Sequence, residues 1–247
     1  MTAIRRVLWV VGVALGCHAH AACTFGTSSE PSLQNVFDSM LPTGSLSATN
    51  DCLDDGADAK WVATGQAVAT IVIELAGFAS QNTFGIYDTA DPTKRATIFV
   101  GSDGAGTRDT VQITQQNGHY SVFDNGVWAA NFATPTFGFF LTTPENNTFL
   151  SDTSLNGDHG DHMYAYQGNG TTFNSGSMAG QSFATNMYLL AFEDLAFPNT
   201  DRDYQDFVAA AQFIAPVPLP AGGALLLAAL AAMWTRARIR FARTATV

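Results

Sequence analysis

Carboxylates crowd the last third of this 247-residue chain. One set, Asp152, Asp158 and Asp161 with Asn156, lies within Ser-Asp-Thr-Ser-Leu-Asn-Gly-Asp-His-Gly-Asp-His. The other is Glu193-Asp194 at the end of a candidate strand, followed by Asp201, Asp203 and Asp206. Acids gathered in loops repel one another, by about 4 kcal/mol per close pair at an effective dielectric of 20. A hard divalent cation relieves that repulsion. Calcium accepts about six to eight oxygens from carboxylates, amides and carbonyls in flexible geometry. The expected calcium ligands are Glu193, Asp194, Asp201, Asp203 and Asp206, with Asp158 and Asp161. The spacing is not that of an EF-hand, because no twelve-residue loop ends in Glu. The same residues also read as acidic loops that are simply solvated. His159 and His162 add an H-x-x-H pair flanked by acids, a weak transition-metal pattern on a loop.

Paired carboxylates could also do acid–base work. Glycoside hydrolysis needs two of them held about 5–10 Å apart. Against this, the acids lack the basic or apolar partners that tune catalytic carboxylates. No G-x-S-x-G nucleophile motif appears. Gly101-Ser102-Asp103-Gly104-Ala105-Gly106 lacks the Lys and the following helix of a phosphate loop. A non-enzymatic module therefore ranks ahead of a hydrolase.

Charge narrows the partners. The formal net charge is -10, yet the 11 Lys and Arg are unevenly placed. Two lie in the first six residues and four in the last twelve, whereas all 21 acids lie between Glu30 and Asp206. The body thus carries 5 basic against 21 acidic groups, a net of -16. Such a surface repels nucleic acid and anionic lipid. With 47% hydrophobic and 13% charged residues the chain supports a sizeable core and is not a disordered polymer.

Both ends read as addresses. Arg5-Arg6, the apolar run Val7 to Leu15 and the A-x-A site Ala19-His20-Ala21 form a cleavable signal peptide over residues 1–21. Signal peptidase and the Sec machinery are the partners this implies. At the other end, Val217-Pro218-Leu219-Pro220-Ala221 leads into an uncharged run ending at Trp234. Arg236, Arg238, Arg240 and Arg243 follow. A helix from Ala221 to Trp234 would span about 21 Å against a hydrocarbon core of about 30 Å, with snorkelling arginines extending it. The arginines should stay cytoplasmic, leaving the acidic body outside the inner membrane.

This tail, residues 216–247, resembles the PEP-CTERM sorting signal of Gram-negative bacteria in its V-P-L-P-A variant. The resemblance implies an exosortase as processing partner and a host that makes exopolysaccharide. It implies export across the inner membrane, transient anchoring, and a final place on the cell surface or in the extracellular matrix.

The body reads as all-β. Nine short β-branched or aromatic segments lie between Ala67 and Ile214, separated by Gly, Asn, Asp and Pro. Alternation is clearest in Thr70–Leu75 and Met187–Phe192, and Asn117-Gly118 signals a hairpin. We expect a two-sheet, jelly-roll-like sandwich over residues 65–215. Asn35 to Leu41 is the one candidate helix. In an exported chain, Cys23 and Cys52 form an even pair suited to a disulfide. It would close a cap over residues 22–64 and contribute about 3–4 kcal/mol.

Several motifs resemble the bacterial domain of unknown function numbered 4114. They are Gly77–Asp88, Phe137–Leu141, Asp161-His162-Met163 with Tyr166-Gln167-Gly168, Leu190–Leu195, and Asp201-Arg202-Asp203-Tyr204-Gln205-Asp206. That family usually has Asn in the place of Gln205, and it occurs in large exported, adhesin-like proteins. Taken together, the expectation is a calcium-binding surface or biofilm-matrix module that binds polysaccharide or a partner protein. Trp61, Tyr87, Trp128, Tyr164 and Tyr166 are the candidates for stacking on sugar rings, with core packing the competing role for most of them.

Overall fold

The computed structural model describes residues 23–27, 30–74 and 81–217. The signal peptide, most of the sorting tail and the start of the Gly77–Asp88 motif lie outside them. Among the described residues no helix is long and apolar enough to cross a membrane.

One helix, α1 (Leu33–Met40), opens the cap. Ser32 caps it by accepting from the Asn35 N–H, which starts the helix two residues before the expected Asn35. Leu33, Val36, Phe37 and Met40 recur at helical spacing and are all buried.

Eleven strands follow, all antiparallel: β1 (Trp61–Glu74), β2 (Thr83–Asp88), β3 (Asp91–Phe99), β4 (Arg108–Gln116), β5 (His119–Asp124), β6 (Val127–Phe132), β7 (Thr136–Thr142), β8 (Thr148–Leu150), β9 (Met163–Gln167), β10 (Met187–Phe192) and β11 (Phe207–Pro216). All nine sequence-derived segments are strands, and β6 and β8 are additional. Asn117 and Gly118 both have positive φ, as a two-residue I′ turn demands. Asn125-Gly126 repeats the device between β5 and β6, a signal the sequence carried unread.

One sheet runs β6-β5-β4-β1-β11-β10-β9, and the other holds β3-β2-β7-β8. They join at the start of β1, where Trp61 and Val62 pair with Phe137 and Thr136. After a register shift between Ala63 and Val68, the same edge of β1 pairs with β4 instead. The chain is therefore an all-β sandwich whose sheet begins at Trp61, so the expected cap boundary at residue 64 falls inside β1.

Two cores result. Between the sheets, Phe84 stacks on Phe207 at 4.9 Å between centroids, and Trp61 meets Tyr188 edge-on at 4.8 Å. On the opposite face of β9-β10-β11, α1 and its flanks bury a second cluster. There Phe37 packs edge-on against Tyr166 at 4.8 Å, and the Tyr166 hydroxyl donates to the Ala48 carbonyl at 2.8 Å. The Cys23–Cys52 disulfide closes this cap across 29 residues.

Candidate metal centre

Strand pairing alone assembles the acids. Phe192, the last residue of β10, lies opposite Phe207, the first of β11. Glu193-Asp194 therefore leave the ladder beside Asp206, which enters it. The connecting loop brings Asp201 and Asp203 back over the same end. Glu193, Asp194 and Asp206 each offer a carboxylate oxygen within 4.8 Å of the others, and so do Glu193, Asp201 and Asp203. Glu193 belongs to both groups. The five carboxylates singled out in this stretch of sequence thus meet in space.

The hydrogen bonding at this end leaves oxygens over. Asp206 Oδ2 accepts from the Asp194 N–H at 3.0 Å, and Asp194 Oδ2 accepts from Asn82 Nδ2 at 3.1 Å. Gln205 Nε2 donates to Asp203 Oδ2 at 2.9 Å and to Glu30 Oε2 at 2.8 Å. Glu193 has 0% exposure, and neither of its oxygens accepts a hydrogen bond. The Thr200 side chain lies near enough to lower the Glu193 pKa, but no donor meets hydrogen-bond geometry at either oxygen. Asn82 Oδ1 and Gln205 Oε1 are two more buried oxygens without a donor. A buried acceptor without a partner costs roughly 1–3 kcal/mol, and more when charged.

Electrostatics say the same. Burial, then Asp194 and Glu193, push the Asp206 carboxyl up to about 9. Burial, with Asp201, Asp203 and Asp194 adding repulsion, pushes Glu193 up to about 7. Asp194 is raised by burial and by Glu145, Asp201 and Asp203. No cation answers. The Arg202 guanidinium lies over the Phe197 ring at 4.5 Å. Among the described residues the ion pairs are Lys60–Asp152, Lys94–Asp91 and His162–Asp158, none of which touches these five acids.

The loop is held by the cap. Arg202 and Tyr204 flank Asp203 with φ of 57° and 56°, each costing roughly 1–2 kcal/mol for a residue with a side chain. The Gly26 N–H donates to the Arg202 carbonyl at 3.0 Å. A Cβ on Gly26 would lie 2.0 Å from the Asp201 carbonyl oxygen, so only glycine lets these two segments approach this closely. Tyr204 stacks on Tyr164 at 4.0 Å and donates its hydroxyl to the Asp161 carbonyl. A cavity of about 290 Å³, lined in part by Phe25, Leu33 and Glu30, borders Asp203.

The first acidic set goes elsewhere. Asp158 and Asp161, expected among the ligands, lie outside both groups. Asp158 Oδ2 meets His162 Nε2 at 2.9 Å and accepts from the Phe197 N–H, while its Oδ1 accepts from the Gly160 N–H. Burial alone would raise its pKa, but these hydrogen bonds outweigh burial and lower it. Asp161 Oδ1 accepts from the Met163 N–H at 3.3 Å instead, and burial, then repulsion from Asp55, raises its pKa to about 7. Asp152 pairs with Lys60 at 3.6 Å, and Asn156 bonds the backbone at Leu150 and Gly160. His162 is fully buried and stacked on Phe149 at 3.9 Å, whereas His159 is exposed, so the two do not converge. Asn82 was not singled out in the sequence as a site residue: it lies 112 residues from Asp194, and no local spacing links them. Val217 donates its N–H to the Lys60 carbonyl at 2.7 Å, while Pro218–Ala221 and the arginines lie outside the described residues.

No protein-family model, curated protein or solved structure matches this chain, so its site is read from its own geometry.

Proposed function

We propose that the chain is an exported, calcium-binding β-sandwich module of a cell surface or biofilm matrix. Glu193, Asp194, Asp201, Asp203 and Asp206 hold the ion, and the module binds polysaccharide or a partner protein. One observation carries the metal reading: Glu193 is wholly buried, with two unpartnered oxygens beside four further acids and, among the described residues, no paired cation. Within each carboxylate group the oxygens lie within 4.8 Å of one another, close enough to share one calcium at about 2.4 Å. Calcium would supply the charge that fixes the 193–206 loop. Asn82 Oδ1 and Gln205 Oε1 are neutral oxygens of the kind that complete its coordination.

Export, exosortase processing near Val217–Ala221 and transient anchoring belong to the same proposal and rest on the two terminal segments. The jelly-roll-like description does too; its support is that the chain crosses between sheets at β1–β2, β3–β4, β6–β7 and β8–β9. A glycan hydrolase fits less well. Its carboxylates would stand about 5–10 Å apart across an open sugar site. Here Glu193, Asp194 and Asp206 are all buried, and their nearest oxygens are within 4.8 Å.

The test is calcium titration of metal-stripped protein, followed by thermal melting. The melting temperature should rise with calcium and fall again with chelator, and Glu193→Gln should remove the response. Equal melts with and without calcium would overturn the metal reading.

A further inference from the structure

The outer face of β4-β5-β6 carries a different chemistry. On it, Gln112, Phe123 and Trp128 lie in one cross-strand row, and Thr114, Ser121 and Asn131 in the next. The alternate residues Val111, Val122 and Ala130 point into the inter-sheet core. These six side chains are uncharged, and the nearest charge on the same face of β4 is the exposed Arg108, four residues before Gln112. Trp128 is 57% exposed, yet its indole is not loose: Nε1 donates to Asn131 Oδ1 at 3.3 Å. Ser121 Oγ donates to the same oxygen at 2.9 Å. Asn131 thus uses its carbonyl to fix the ring, which leaves its amide N–H₂ directed to ligand or water. Gln112 is exposed at the other end of the Trp128 row, across Phe123.

From this geometry we infer that the outer face of β4-β5-β6 binds a neutral polysaccharide. A pyranose ring has an apolar C–H face and a rim of hydroxyls. The indole of Trp128, with Phe123 behind it, takes the face. The amides of Asn131 and Gln112 take the rim. A rigid aromatic with a few placed polar groups is the economical way to orient such a ligand. Charge selects among glycans: six neutral side chains on a body of net -16 favour an uncharged chain and repel a polyuronate. A protein partner fits poorly, because a stable interface buries about 800 Å² per side around an apolar centre. Here the strongly exposed apolar surface of the face is one indole. Of the five aromatics that the sequence offers for stacking, Trp61, Tyr87, Tyr164 and Tyr166 are buried and only Trp128 is available.

This deepens the matrix-module reading and rests on it for the class of polymer, but not on the metal. Five sheet positions separate β6, which carries Trp128, from β10, so about 24 Å of sheet lies between the indole and the end of β10 that leads into Glu193. Affinity electrophoresis of the full chain tests it, in gels containing a neutral glucan, a neutral galactomannan or an anionic polyuronate, each with calcium and with chelator. Retardation by at least one neutral polymer and not by the polyuronate is expected. Trp128→Ala should weaken it at least tenfold, and Trp128→Phe less. Both variants should melt as the wild type does, since the ring is mostly in solvent. The inference is overturned if neither neutral polymer retards the wild type or if Trp128→Ala binds equally well. It is also overturned if retardation needs calcium and survives loss of Trp128, which would place the glycan at the carboxylates. Sedimentation velocity supplies the last arm: a dimer dissolved by Trp128→Ala would assign the face to a second copy of the chain. The calcium-dependent melt is scored separately, so either reading can fail alone.

Discussion

The two ends of one sheet share an inner core and differ on the outer face. At the β9-β10-β11 end every residue of β10 is buried, because α1 and the disulfide-closed cap cover what the sandwich does not. At the β4-β5-β6 end the outer positions apart from Ser121, which is buried, stay half-buried or exposed, and burial alternates weakly along the strands. The carboxylates sit at the covered end, where burial raises the pKa values of Glu193, Asp194 and Asp206 and leaves oxygens unpartnered. The indole sits at the uncovered end. The difference teaches that one sheet can host a buried ionic site and an open polar–aromatic one, and that the cap decides which end is which.

The sharpest way to break that contrast is to remove the cap's packing. Phe37→Ala should cost about 3–5 kcal/mol, the usual loss for a buried phenyl ring, measured by denaturant unfolding. Trp128→Ala at the other end should stay within about 0.5 kcal/mol. Equal losses would mean that the two ends are not energetically distinct.

Calcium should come next. At a hundred times the dissociation constant the stabilisation is about 2.7 kcal/mol, read from melting of chelated and calcium-loaded protein. Gly26→Ala sharpens this. Its Cβ would strike the Asp201 carbonyl, so the variant should lose part of the calcium response while still folding. An undiminished response would show that the cap does not hold the loop.

A smaller effect should follow pH in metal-free protein. Asp161 is raised to about 7, by burial first and Asp55 second, and Asp58 is raised well above its ordinary value by burial, Asp161 and Asp55. Between about pH 4 and 7 the folded state then holds protons that the unfolded chain has released. Stability falls as pH rises through that window. With chelator present, melting at pH 5 should exceed melting at pH 7.5. The opposite order would mean that these carboxyls are not held neutral by the covered end.

Much of the architecture was legible locally. β-branched and aromatic segments marked nine of the strands, since alternation and turn residues act over a few positions. The short β8 and the bulged β6 escaped because each pattern is interrupted, although Asn125-Gly126 announced the turn before β6. The site was legible in part. Glu193, Asp194, Asp201, Asp203 and Asp206 cluster in sequence because one loop carries them. Asp158 and Asp161 look the same in sequence and are excluded in space, one hydrogen-bonded by His162 and backbone, the other by the Met163 N–H.

By itself, the sequence determined the strand content, the acidic body, the pairing-competent cysteines and which residues could carry charge to one loop. Only the tertiary structure decided that Asn82 reaches Asp194, that Glu193 lies fully buried, and that Trp128 alone of five candidate aromatics faces solvent. The reason is that strand periodicity sets which side of a sheet a residue faces. What covers that side is set by segments more than a hundred residues away.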